Sequence, residues 1–499
     1  MFCPRHSAAD PEPEWPEARS QSSWNQPHSW EQSLPKPSRP EPVFSTVKSV
    51  EIPVDPVIAQ LPSFEPSLLD KLRLDKLRLW IHKGGLALLD QGLISGSNFI
   101  LSMLLARWLT PESYGVYALA FGIYVLLQLV YGALVLEPMA VFGGAAYRQC
   151  LRQYCRSLLW IHLVIAGVIC LLMGGSAAVT HALGWTNGLP GALLGVALSS
   201  PCLLLLWFAR RAFYLEMSPA KAATGSMLYC VLLLGGLFIV YRSGLLSPLK
   251  VFVLMGAAAL LADLFLLTRL KSQLPAGGPA PVIRETWRRH WGYGRWALAS
   301  CVASWTPTYI FYPLLSTFSG VAQSGELRAL MNFFSPLDQT LSALSLLFLP
   351  YAARMRAERG RKGLAVLTRN LMVLSLAGAG IYWGLINEFR EPVFRLLYAG
   401  KYANISHLVP VLALGSMFWS AGYGPAIALR AIESPYSIFL AYLATTLISV
   451  IVGIPATRAF GLKGAVWAGN ASEVASFLIL MFLMRRKLTA GPIEVPACP

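Results

Sequence analysis

The stretch Leu86–Leu136, LALLDQGLISGSNFILSMLLARWLTPESYGVYALAFGIYVLLQLVYGALVL, decides how the rest of the chain is read. Two long apolar runs flank one short polar turn, Arg107–Ser113. A bilayer core about 30 Å thick takes about 20 residues of helix to cross. Each run is the length of one crossing, and the turn sends the chain back. Working outward, the same unit recurs. Runs at 86–107 and 114–137 are followed by runs at 157–180, 189–208, 223–241, 249–268, 294–316, 328–350, 364–386, 407–429, 436–457 and 464–484. The pattern predicts an all-α integral membrane protein of about 12 transmembrane helices. Most connections are too short to hold a folded domain.

Composition agrees. Of 499 residues 55% are hydrophobic and 13% charged, against roughly 25% charged in soluble proteins. The net charge of +16 does not point to nucleic acid, because no basic stripe is interleaved with aromatics. From Lys71 onward there are 36 Lys and Arg. Of these, 27 fall on one face and 9 on the other if the spans alternate. The clusters Arg148/Arg152/Arg156, Arg284/Arg288/Arg289, Arg354/Arg356/Arg359/Arg361/Lys362 and Arg485/Arg486/Lys487 all fall on the rich face. That bias places the rich face, with both termini, in the cytoplasm.

The chain divides by composition. Residues 1–66 are rich in Pro, Ser and Glu and lack an apolar period. They are expected to be a disordered cytoplasmic tail, and no apolar core marks them as a signal peptide. Residues 67–83, which repeat DKLRL at Asp70 and Asp75, read as a basic juxtamembrane helix lying on anionic lipid. Residues 84–270 and 291–487 form two six-helix bundles, joined by a cytoplasmic linker at 271–290, and 488–499 is a C-terminal tail.

The two bundles show a repeat. Leu104–Ala120, LLARWLTPESYGVYALA, aligns without a gap with Leu314–Leu330, LLSTFSGVAQSGELRAL. Leu104, Leu105 and Gly115 match Leu314, Leu315 and Gly325, and Trp108 matches Phe318. Each segment joins the first two helices of a unit with an even number of spans, so both units have one orientation. Two parallel repeats place a central cavity between them, as in many transporters.

At this point the chain resembles a known family. The residues are LLARWLTPESYGVYALA (Leu104–Ala120), FLPYAARMR (Phe348–Arg356), LLYAGKYANISHLVPVLALGSMF (Leu396–Phe418) and GLKGAVWAGNASEVASFLILMFLMRR (Gly461–Arg486). In that order they resemble the Wzx-type polysaccharide flippases, in the polysaccharide transport branch of the multidrug/oligosaccharidyl-lipid/polysaccharide flippase superfamily. The resemblance implies a bacterial inner-membrane protein that moves an undecaprenyl-diphosphate-linked oligosaccharide outward. The headgroup would pass through the cavity and the lipid tail would stay in the bilayer. Its partners would be that polyprenyl-diphosphate-linked glycan and membrane lipids. A second role in an export complex, with other polysaccharide assembly proteins, stays open.

An ionisable group within a membrane helix costs about 2.5–3.5 kcal/mol on insertion scales, so each needs a reason. Arg295, near the inner end of the seventh span, is a candidate for a diphosphate, which needs a multi-donor cation. A snorkelling interface arginine is the alternative. Asp338, after Pro336 and beside Gln339, is the first choice for a cavity group, either for sugar hydroxyls or for a coupling ion. Glu473, with no nearby base in sequence, is a second ion-coupling candidate. Asp90, Asn98, Gln128 and Asn332 are further substrate candidates, and Asn470 is also polar within a span. Arg107 reads as an interfacial anchor or a partner of Glu112. Glu137 and Asp263 are expected to pair with bases such as Arg148 and Arg269. Trp291, Trp296, Trp305, Tyr309 and Tyr312 around the seventh span could stack on sugars or simply pack.

No catalytic residue, metal site or cofactor is assigned. The cysteines form no CxxC pair, and no GxxxxGK[ST] loop is present. The outer face offers only Glu112, Glu326, Glu388 and Glu391 on short turns, which is little for a polyprenyl-dependent glycosyltransferase or polymerase. The competing reading is a cation-coupled drug or lipid exporter of the same superfamily.

Overall fold

A computed structural model describes residues 66–144, 146–185, 188–271, 281–432 and 434–489, with side chains from Gly84 onward. The tail called at 1–66 and nearly all of 488–499 lie outside the described residues, as does 272–280 of the linker. The described residues are helical throughout and include no strand.

α1 (Pro66–Trp108) carries the basic segment 67–83 and the first span as one uninterrupted helix. α2 (Pro111–Tyr131) starts where Thr110 accepts a hydrogen bond from the Ser113 amide, with Pro111 in its first turn. This is the start signal that the turn Arg107–Ser113 encodes. α2 widens into a π segment, Gly132–Leu136, and continues as α3 (Glu137–Gly144). α4 (Leu151–Ala182), α5 (Leu189–Leu215), α6 (Pro219–Arg242) and α7 (Pro248–Lys271) complete the first half. α8 (Ile283–Tyr309), α9 (Phe311–Phe318), α10 (Val321–Glu388), α11 (Arg390–Tyr398), α12 (Val409–Ala431), α13 (Pro435–Ile451) and α14 (Gly453–Thr489) make the second.

Two long helices are hairpins. α10 breaks at Gly360 (φ 61°, ψ −153°) and α14 at Gly461 (φ 55°, ψ −133°), conformations open chiefly to glycine. The Tyr382 hydroxyl donates to the Phe333 carbonyl at 2.6 Å, and the Ser449 and Ser472 hydroxyls lie 2.8 Å apart. The first contact holds the two arms of α10 antiparallel about Gly360, and the second joins α13 to the second arm of α14. Counting the two arms of α10 separately, α8 with α9 as one crossing, and α13 with the first arm of α14 as one crossing gives twelve segments.

Among the described residues nine helical stretches are long and apolar enough to cross a membrane, and Tyr436–Ile451 is a shorter apolar helix. The two remaining crossings are α8–α9 and the first arm of α10, which carry Arg295, Arg328 and Asp338. Helices that face a polar interior need not be as apolar as those that face lipid. α8 also begins earlier than the seventh span was read, at Ile283, so part of the expected linker is helix.

The halves meet through the repeat. A Cβ on Gly115 would lie 2.8 Å from the Val321 carbonyl carbon and 3.1 Å from the Gly325 amide. One on Gly325 would lie 2.5 Å from the Pro111 carbonyl oxygen and 2.9 Å from the Gly115 amide. In the repeat alignment Pro111 corresponds to Val321 and Gly115 to Gly325. The contact is reciprocal, as a two-fold axis through the glycine pair requires. On the same face Lys401 donates to the Arg107 and Leu109 carbonyls, both at 2.8 Å, and Arg107 donates to the Leu396 carbonyl. This end of the molecule, opposite the basic loops, is closed. Nearer the basic loops α8 seats on α2 and its π segment. Trp305 donates to the Gly122 carbonyl at 2.9 Å, and a Cβ on Gly294 would meet the Ala133 carbonyl at 2.7 Å.

Candidate functional site

The central space takes the form of three adjoining cavities. One, of about 560 Å³, lies between the halves: α1 gives Gln91 and Ser95, α5 gives Arg211 and Tyr214, and α10 gives Gln339 and Ser342. Two more, of about 320 and 330 Å³, lie among α8, α10, α12 and α14, and share Asp338, Trp419 and Glu473. Ser342 walls both the inter-half gap and the first of these.

Arg328 is the cation on the wall of the second inner cavity. It sits on α10 two turns past Gly320, between Leu327 and Ala329, and lines the second inner cavity. Its Nε donates to the Ser102 hydroxyl at 3.2 Å, and its guanidinium lies 4.7 Å from the centre of the Phe121 ring. Tyr309 and Tyr312 face it from α8 and α9, and Tyr114 faces it from α2. Among the described residues no carboxylate lies within ion-pair distance of it. A guanidinium that is ringed by phenols, lacks a counter-ion and borders a cavity can bind an anion with directed hydrogen bonds. The sequence reading counts Arg328 among outer-face bases because it begins the eighth span at 328. The helix in fact begins at Val321, which places Arg328 inside.

The predicted residues fall in different places. Asp338 and Glu473 come together on the walls of both inner cavities. Asp338 accepts from Gln339 at 3.2 Å, and neither acid has a base within ion-pair distance among the described residues. Asn470 lines the second cavity and donates to the Val411 carbonyl at 2.6 Å. Tyr309 and Tyr312 line it too, whereas Trp305 is spent on the Gly122 carbonyl and Trp291 is exposed. The Trp296 side chain lies outside the described set.

Asp90 does not reach a cavity. It is fully buried in a forked ion pair, taking Arg210 Nε at 3.2 Å and Nη2 at 2.8 Å. The Tyr214 hydroxyl at 2.7 Å and Ser226 complete its acceptor sites. Its role is to tie α1 to α5 and α6. Asn332 is likewise enclosed. It accepts from Ser102 at 2.8 Å and donates to Tyr114 at 3.1 Å and Tyr398 at 3.3 Å, which joins α1, α2, α10 and α11. The buried Asn98 Oδ1 has no hydrogen-bond partner among the described residues. Gln128 is half-buried on α2, and Arg295 is exposed on α8; neither is on the walls of these three cavities. Asp263 does not pair with Arg269, whose guanidinium lies 5.1 Å from the Phe265 ring centre. Arg328 lines the second inner cavity, and Arg295 does not. Sequence could have flagged Arg328 as a base flanked by Leu327, Ala329 and Leu330 in the second turn of a helix.

No protein-family model matches the chain, and no curated protein sequence matches it. Solved structures do. The inward-facing form of a multidrug resistance MATE family transporter of the MOP superfamily matches with a TM-score of 0.63 at 14% identity, over 80% of this chain and 94% of that one. The lipid II flippase MurJ, in an inward closed conformation, matches at 0.60 and 15% over 82% and 86%. An outward-facing MATE transporter matches at 0.59 and 12% over 82% and 95%. The chain therefore shares its fold with these membrane transporters and with the lipid II flippase.

Proposed function

We propose that the chain is a flippase that moves an undecaprenyl-diphosphate-linked oligosaccharide across the bacterial inner membrane by alternating access between its halves. Its termini are then cytoplasmic, and other polysaccharide assembly proteins are its natural partners. The observation that carries this reading is Arg328, a guanidinium on a cavity wall with no carboxylate within ion-pair distance among the described residues. A diphosphate headgroup supplies the missing charge and accepts the fork of N–H donors. Trp419 and Phe334 on the same wall offer faces for sugar rings. The gap between α1, α5 and α10, with exposed Arg211 on its wall, gives a charged headgroup a way in while its tail remains in lipid. One protein of this fold is a lipid II flippase by name, which supports a lipid-linked cargo.

A second reading, a cation-coupled exporter of drugs or lipids, is favoured by one observation. Asp338 and Glu473 share the inner cavities, and carboxylates there would hold a cationic compound or a coupling ion. A deletion strain separates the two. Lipid-linked repeat units should accumulate in the inner leaflet, and Arg328→Gln should fail to clear them while Arg328→Lys clears them partly. A charge-assisted hydrogen bond contributes roughly 1.5–3 kcal/mol, so the glutamine variant should lose at least about tenfold in rate. Unchanged lipid-linked intermediates would remove the flippase reading, and sensitivity to cationic compounds instead would favour the second.

A further inference from the structure

The first half holds an acid that neither the cavities nor the ion pairs use. Asp263 on α7 is 0% exposed, and neither of its carboxylate oxygens has a hydrogen-bond partner among the described residues. An ionised carboxylate left without a partner in such a place costs several kcal/mol. A neutral acid is tolerated far better.

The surroundings are titratable but uncharged. Tyr131 of α2 and Cys202 of α5 lie within electrostatic reach of Asp263, and Cys170 of α4 within reach of Cys202. α6 meets α7 through Gly225 against Leu266. The Tyr131 hydroxyl lies 3.1 Å from His162 Nδ1, and His162 is itself 3% exposed. Tyr131 is also the last residue before the π segment of α2. That segment forms the contact with the second half: the Leu134 carbonyl lies 3.0 Å from His290 Nδ1, and His290 Nε2 lies 2.7 Å from the Tyr154 hydroxyl. A π segment is a local register fault that can relax to ordinary helix, and such faults gather at functional places. A charge appearing on Asp263 therefore acts next to the most changeable part of α2, and that part carries the docking surface for α8.

We propose that Asp263 is a proton-binding site of the N-terminal half, loaded while α8 is docked on the π segment and emptied when that contact opens. Loading adds one proton from hydronium to a carboxylate oxygen. Release returns it to water admitted as the halves part, and no other bond changes. Proton movement is thereby tied to the rearrangement of the two halves, independently of which headgroup is carried and separately from Asp338 and Glu473.

The test uses the full-length protein in lipid nanodiscs and needs no cargo. Infrared difference spectra over a pH series should show a protonated-carboxyl stretch that persists at neutral pH, shifts in heavy water and vanishes on alkalinisation. It should survive Asp338→Asn combined with Glu473→Gln, and Asp263→Asn should abolish it. Spin labels at Ala140 and Arg288 should separate on alkalinisation in the wild type and stay at the short distance in Asp263→Asn, which mimics the loaded acid. If the asparagine variant does not fold, Asp263→Leu replaces it, and the Asp338/Glu473 double variant still decides by itself. Absence of the band in that double variant, or its persistence without Asp263, overturns the proposal. So does a label distance that responds to pH equally with and without Asp263.

Discussion

Replacing Gly115 by alanine should open the end of the molecule opposite the basic loops. The added Cβ would lie 2.8 Å from the Val321 carbonyl carbon, and one on Gly325 would lie 2.5 Å from the Pro111 oxygen. Ordinary contact needs about 3.5 Å, so α2 and α10 must part by close to 1 Å. What would move is backbone, which cannot rotate aside as a side chain can. Overpacking of this kind costs about 1–3 kcal/mol, and it falls on the conformation in which this face is closed. At about 2 kcal/mol the ratio of closed to open forms drops roughly 30-fold. Pulsed electron paramagnetic resonance between labels at Glu112 and Glu391, on a background free of native cysteines, reads that ratio. A long-distance population should appear in Gly115→Ala and in Gly325→Ala. The double variant should add little, because both changes relieve one contact. An unchanged distance distribution in both single variants would refute the glycine pair as the contact that closes this face.

Other expectations follow from single sites. Asp90→Asn leaves the Arg210 guanidinium buried without its counter-charge and should lower stability by about 3–5 kcal/mol in a thermal unfolding assay, whereas Asp90→Leu with Arg210→Met should be milder. Asn332→Leu strips partners from Ser102, Tyr114 and Tyr398; it should cost roughly 1–3 kcal/mol and raise protease cleavage in the 396–408 region. Gly360→Ala forces a Cβ into a backbone conformation near φ 61°, ψ −153° and should destabilise the α10 hairpin by about 1–3 kcal/mol, read as a lower melting temperature.

The repeat shows where sequence and structure meet. The alignment of Leu104–Ala120 with Leu314–Leu330 rests on a few matched residues, and Gly115 with Gly325 is one pair. The same pair forms a backbone contact between the halves too tight for a side chain. A glycine kept at one register in two copies is legible because only a missing side chain lets backbones touch there. Arg328, by contrast, falls at the outer end of the eighth span as that span is read from periodicity. Its placement turns on whether the eighth helix begins at 321 or 328, and helix ends are the least certain part of any reading from periodicity. Asp90 was misread for another reason. Its partner Arg210 lies 120 residues away, and no local pattern announces a pairing across two helices.

The sequence alone determined that this chain crosses a bilayer about twelve times, in two like-oriented halves, with its bases gathered on one face. Run length, alternation and charge bias are local quantities, and each follows from how a helix and a bilayer constrain a single segment. Only the tertiary structure decided which polar groups are spent on one another and which line a cavity. It joined Asp90 to Arg210, tied Asn332 into the seam, and set Arg328, Asp338 and Glu473 on the walls of one cavity. That division rests on distances between helices, which no single helix encodes.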